Sequence, residues 1–309
     1  MLRSDPDQEQ EQDPDPDPEL DVAGLVQRLG LEEELGEGGG PRLVLTCELR
    51  GQVETIGSLR RFIGNAPARS AGPVTPLERD ARGEREVVQE EREVRGDRSE
   101  GDDRGGSERL ELLELRLGVP ILGLTMERVI GFAGRASVVP HILFSVVTTG
   151  APGAPGASTL TADLLPRLDL MIHPTYADGI YGPLAAELEE FARRSADACD
   201  EVSVVLEGPL AKRLLVSPWA SRLTAVAGPP ALRSGLFRVY SERWVELLLG
   251  SAGALASARG SWEPEPGERD RRLRAALSEA RSDPLWRELT RLCGPEQADA
   301  VRAFVRGDG

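Results

Sequence analysis

Two stretches of this chain are too charged, and too poor in apolar side chains, to enter a core: residues 1–19 and residues 64–108. In the run Asp13-Pro14-Asp15-Pro16-Asp17-Pro18, like charges alternate with a residue that has no backbone donor. Burial there has nothing with which to offset the entropy of ordering, so a disordered acidic tail is expected over 1–20. The same reasoning makes 64–108 a charged, disordered insertion inside a larger unit. The fold must come from what remains.

These stretches also explain the net charge of −15. Residues 1–40 hold 13 acidic and 2 basic side chains, residues 76–109 hold 12 and 8, and the rest of the chain has 27 of each sign. A neutral body lacks the surplus of cations that dominates phosphate binding, so nucleic acid is not an expected partner. Lys212 is the sole lysine, and Ala211 stands before it where a Walker A loop needs glycine. No G-x-S-x-G, G-x-G-x-x-G or HExxH is present, and His141 and His173 are too few for a three-histidine zinc site. No metal site is expected, and the motifs leave any cofactor unknown.

Cys47, Cys199 and Cys293 are odd in number and form no CxxC pair, which fits reduced thiols in a cytoplasmic protein. Met1–Asp5 opens no apolar run of the kind a secretory signal needs. The longest apolar stretch, 129–150, is broken by Arg135, Pro140 and His141, so no membrane span is expected.

Periodicity divides the rest into units. Asp21 is placed to cap a helix carrying Val22, Leu25, Val26 and Leu29 on one face, with the glycines of 36–40 as a joint. Over 21–40, helix 21–35 and its joint, the amphipathic helix either docks on its own core or serves as a tethered recognition helix for a partner. From Arg42 the period becomes two, with Leu43, Leu45, Cys47 and Leu49 on one side. It returns at Leu113, Leu115 and Leu117, and Ile142–Thr149 reads as a buried strand. Residues 41–150 are therefore a β-rich unit, and Gly-Ala-Pro-Gly-Ala-Pro-Gly-Ala over 150–157 reads as a hinge.

The second half alternates strand candidates (Leu168–Ile172, Val202–Leu206, Leu223–Val226) with helical spacing, as parallel pairing through crossovers requires. The expected fold class is α/β or α+β: the β-rich unit, a parallel βαβαβ-type unit over 151–260, and a helical cap over 261–309. In the cap, Asp283-Pro284 opens one helix, and Gly294-Pro295 ends it and opens another.

A Gly-Pro corner recurs at Gly182-Pro183, Gly208-Pro209 and Gly228-Pro229, each read as a strand-to-helix turn. On a parallel sheet such corners share the carboxyl rim, where ligands bind and helix N-termini attract anions. His173, Asp178 and Glu207 are then the candidate catalytic residues, the first two as an acid–base pair and Glu207 to bind a metal or a hydroxyl. Lys212, Tyr176, Gly182, Gly208 and Gly228 are the candidate ligand-binding positions. Two functional readings follow. One is a non-enzymatic interaction or adaptor protein that uses its acidic tail and tethered helix on a protein partner, possibly another copy of itself. The other is an α/β enzyme or binding protein for a small anionic ligand at that rim.

Overall fold

A computed structural model of the protein describes residues 20–49, 52–65, 109–135, 137–151, 156–195, 201–204, 217–218, 220–226, 230–250 and 266–308. The acidic tail over 1–19, residues 66–108 of the expected insertion, Cys199, the helix expected through Leu210–Leu215, Trp219 and Trp262 lie outside those residues.

The expected N-terminal helix is present as α1 (Val22–Leu29). Asp21 Oδ1 accepts from the Gly24 N–H at 2.8 Å, and Gly30, in the left-handed region at φ 61°, closes the last turn. Val22, Leu25 and Leu29 are buried in the protein's own core, which leaves the opposite side of α1 to solvent.

Nine described strands form one sheet: β1 (Glu32–Glu34), β2 (Leu43–Leu49), β3 (Gln52–Asn65), β4 (Arg109–Val119), β5 (Leu124–Phe132), β6 (His141–Thr149), β7 (Ala157–Leu165), β8 (Glu201–Val204) and β9 (Ser221–Val226). Their order is β1-β3-β4-β5-β6-β7-β9-β8, and β2 lies beyond β1 along the same side of β3. Period-two alternation lets both faces be buried. Leu110 and Leu112 of β4 enter one core, and Leu113, Leu115 and Leu117 enter the other. The first core is covered by α1, α2 (Pro174–Ser195) and α3 (Pro230–Leu248). The second is covered by α4 (Pro266–Leu277) and α5 (Leu285–Arg306). The result is a three-layered α+β fold.

Every ladder among the described strands is antiparallel, so the parallel C-terminal unit expected from sequence is not supported. The reason is specific. β7 and β8 both pair antiparallel to β9 and therefore run in the same direction, with α2 as the crossover between them. The helix between two co-directional strands was legible, but β9 inserts itself between them. A crossover fixes the direction of two strands without making them neighbours.

Other expectations change with it. β6 and β7, which flank the stretch read as a hinge, pair antiparallel with Thr149 opposite Ala157, so both belong to one sheet. Leu168–Ile172 is a turn instead of a strand, since Asp169 Oδ1 accepts from the N–H groups of Met171 and Ile172. Gly182-Pro183 lies inside α2 and opens nothing. At the C-terminal helices Asp283 Oδ1 accepts from Leu285 N–H at 3.0 Å, Pro284 stands at the N-cap of α5, and Gly294, at φ 80°, breaks α5 before Pro295.

Candidate functional site

The described strands do not form the shared rim proposed from sequence. Strands β8 and β9 are antiparallel, so they end at opposite margins of the sheet. His173 is half-buried just before α2, Asp178 is exposed on that helix, and Gly182 is exposed further along it. Tyr176 is fully buried. Its hydroxyl donates to Val138 O at 2.9 Å and accepts from the Arg167 N–H at 3.1 Å, so it pins a loop instead of facing a ligand. Glu207, Gly208, Lys212 and Gly228 lie outside the described residues.

The densest group of ionisable side chains sits between the sheet and α4. Glu111 of β4 bonds Arg61 of β3 and, at 2.8 Å, Arg274 of α4. Arg274 lies over the Phe132 ring, 3.7 Å from its centroid, and bonds Asp270 at 3.0 Å. Asp270 in turn accepts from His141 of β6 at 2.8 Å and pairs with Arg167 at 3.1 Å. Arg167 also donates to the carbonyl oxygens of Gly134 and Arg135. Sequence reasoning had passed over this cluster. One signal was available: Glu111 shares the face of Leu113, Leu115 and Leu117, which puts a carboxylate on a core face.

The electrostatics of the cluster are those of a clamp. Burial pushes the His141 imidazole down to about 4, aided by the charges of Arg167 and Arg274 and opposed by Asp270. Burial alone would raise Asp270, yet its hydrogen bond to His141 and the two arginines hold it at about 2. His141 Nδ1 accepts from the Ala133 N–H at 3.3 Å, so the ring proton is on Nε2 and is donated to Asp270. Both ring nitrogens are engaged and the side chain is wholly enclosed. It has no free nitrogen with which to take a proton from a substrate.

A second buried carboxylate, Asp163, accepts from both the N–H (2.8 Å) and the hydroxyl (2.5 Å) of Ser217, which anchors the approach to β9. Burial raises it to about 6 against those two bonds. Among the described residues no three His, Cys, Asp or Glu side chains are grouped as metal ligands, and no helix is long and apolar enough to cross a membrane.

Open functional groups occur instead where α1 meets α3. Asp21, Gly24, Leu25 and Arg28 of one helical face oppose Ala231, Ser234, Gly235, Arg238 and Ser241 of the other, across a groove of about 390 Å3. Gly24, Ala231, Ser234 and Gly235 contribute little side-chain bulk to its walls. Gly235 is also tight against α2, where a Cβ would lie 2.9 Å from the Phe191 ring. Arg28 and Arg238 are exposed, and among the described residues neither guanidinium has a hydrogen-bond or ion-pair partner. Of the two acids at the groove, Asp21 caps α1, and Glu242 lies one turn beyond Arg238.

No protein-family profile matches the chain, and no curated protein does. Among solved structures it is similar to phytochromobilin synthase from tomato, solved in complex with biliverdin. The identity is 20% and the TM-score 0.44, over 65% of this chain and 66% of that one. The chain thus matches just under two thirds of that protein's length.

Proposed function

We propose that the protein is a non-enzymatic interaction protein that seats an acidic segment of a protein partner in the groove between α1 and α3. The observation that carries this is the pair Arg28 and Arg238, exposed and, among the described residues, unpartnered on the two walls of one groove whose lining includes Leu25 and Phe237. The buried ionisable groups of the α4 clamp already bond one another, whereas these two cations are open to an incoming carboxylate. The role first assigned to α1 changes in kind. Its apolar face is used by its own core, and its polar face becomes one wall of the site. A cytoplasmic setting goes with this reading, since Cys47 and Cys293 are buried free thiols.

The test is fluorescence anisotropy with a labelled Asp/Glu-rich peptide at low salt. It is run on the native chain and on a full-length chain whose eight carboxylates in residues 1–19 are changed to their amides. Saturable binding that weakens with added salt and vanishes in Arg28→Glu/Arg238→Glu is the expected result. Absence of binding to both chains, or binding unchanged by the charge reversal, overturns the proposal.

A further inference from the structure

We propose that Cys47 and Cys293 form a dithiol site that a disulfide oxidant of the glutathione class closes, pinning β2 to α5. The site stands apart from the groove between α1 and α3 and does not depend on it. Three observations carry the inference. Both thiols are free and buried, and both belong to the core between the sheet and α5. Cys47 lies on the face of β2 that looks into this core, and Cys293 is the residue before Gly294, where α5 breaks. Two contacts then set the register of β2 against α5. Arg42, just before the strand, lies over the Phe304 ring, 5.6 Å from its centroid, and Thr46 is bonded twice by Gln297, at 2.8 and 3.0 Å.

That register brings the two cysteines together. From Arg42 to Thr46 the strand advances by about 13 Å, at roughly 3.3 Å per residue. From Phe304 to Gln297 the helix retreats by about 10 Å, at roughly 1.5 Å per residue. Strand and helix thus run alongside in opposite directions, and both contacts lie on the part of α5 beyond Gly294. The next residue of β2 is Cys47, and one strand residue matches about two helix residues. That step ends at Pro295, beside the break that Cys293 precedes. The charges agree with this placing: burial pushes the Cys293 thiol up to about 11, and a thiolate at Cys47 adds to the rise. Burial raises Cys47 as well, so both thiols stay protonated near neutral pH until an oxidant traps the thiolate.

The chemistry is thiol–disulfide exchange. One cysteine thiolate attacks a sulfur of oxidised glutathione, forming a mixed disulfide and releasing one glutathione thiolate. The other cysteine thiolate attacks the protein sulfur of that mixed disulfide, and the second glutathione thiolate leaves. The chain gives up two electrons and two protons, and two reduced glutathione molecules carry them away. The bond requires Cα atoms within about 7 Å of each other. Gly294, outside the helical region, interrupts α5 next to Cys293 and lets the backbone there adjust to that separation.

The experiment exposes the full-length native chain, and a Cys199→Ser chain whose sole cysteines are Cys47 and Cys293, to oxidised glutathione. Peptides are then mapped by mass without reduction. Both chains should give a monomeric product lighter by two hydrogens, with the Cys47 and Cys293 peptides joined and released again by dithiothreitol. The oxidised product should melt at a higher temperature than the reduced chain, because the crosslink restricts the unfolded ensemble. In the Cys199→Ser background, Cys47→Ala or Cys293→Ala should take up at most one glutathione and show no rise that dithiothreitol reverses. Glutathione left on both cysteines without closure, a disulfide that joins two chains, or pairing through Cys199 in the native chain overturns the proposal. So does a crosslink confined to chains that circular dichroism shows to be unfolded, or two thiols that remain unmodified.

Discussion

Gly131 lies under the Trp244 indole. A Cβ there would be 2.4 Å from the ring and 2.6 Å from Ile142 Cγ2, neither of which is the loose end of a flexible side chain. The indole is also held by its own bond, with Nε1 donating to Pro140 O at 2.9 Å. Gly131→Ala should therefore lower the free energy of unfolding by about 1–3 kcal/mol, read as a fall in the denaturant midpoint with an unchanged slope. Asp163 makes a second residue-scale prediction. Its folded pKa, about 6, lies above the usual 3.8, so the folded state holds the extra proton between those values. Stability from this group is then lost as pH rises from about 4 to 6. Asn at 163 can keep both Ser217 contacts, because the serine hydroxyl can donate or accept. Asp163→Asn should thus gain in melting temperature relative to the parent as pH rises through that window, and the two curves should converge below pH 4. A difference that does not vary with pH would contradict the assignment.

Helix α4 is the most polar of the helices on the sheet, and its sequence Pro-Gly-Glu-Arg-Asp-Arg-Arg-Leu-Arg-Ala-Ala-Leu offers little to a core beyond Leu273 and Leu277. Its attachment runs through Asp270 and Arg274 to Glu111, His141 and Arg167. Removing one partner from such a set leaves buried charges unmatched, so Asp270→Ala should cost about 3–5 kcal/mol. Amide exchange should rise first in α4, before α3. His141 adds a dependence on acid. Its folded pKa is lowered to about 4 from 6.5, so the stability it confers is complete above 6.5 and is lost as pH falls toward 4. A different device works at the sheet margin. Gln297 of α5 accepts from the Thr46 N–H at 2.8 Å and donates to the Thr46 hydroxyl at 3.0 Å, occupying a backbone donor that β2 would otherwise expose. Gln297→Ala should cost about 1 kcal/mol by loss of that bond.

At the scale of the whole molecule, one sheet passes through both halves that the sequence seemed to divide. Each core holds one described tryptophan, Trp244 on the α3 side and Trp286 on the α5 side. Because both cores share the sheet, Trp244→Phe and Trp286→Phe chains should each unfold in a single transition, with fluorescence and far-ultraviolet dichroism giving coincident midpoints. Separate midpoints for the two faces would contradict a single cooperative unit.

Local matters were decided by the chain itself: the capped start of α1, the alternation that makes β2 and β4 strands, the Gly294 break in α5, and the confinement of acidity to two stretches. Each depends on neighbours within a few residues, where spacing dictates geometry. Strand order, the insertion of β9 between β7 and β8, the antiparallel pairing of β6 with β7 and the placing of Arg28 and Arg238 on one groove were decided only in three dimensions. So was the convergence of Glu111, His141, Arg167, Asp270 and Arg274, which spans 163 residues. A crossover sets a strand's direction but not its neighbour, and a charge on a core face shows that it needs a partner without showing which of 37 basic residues supplies it.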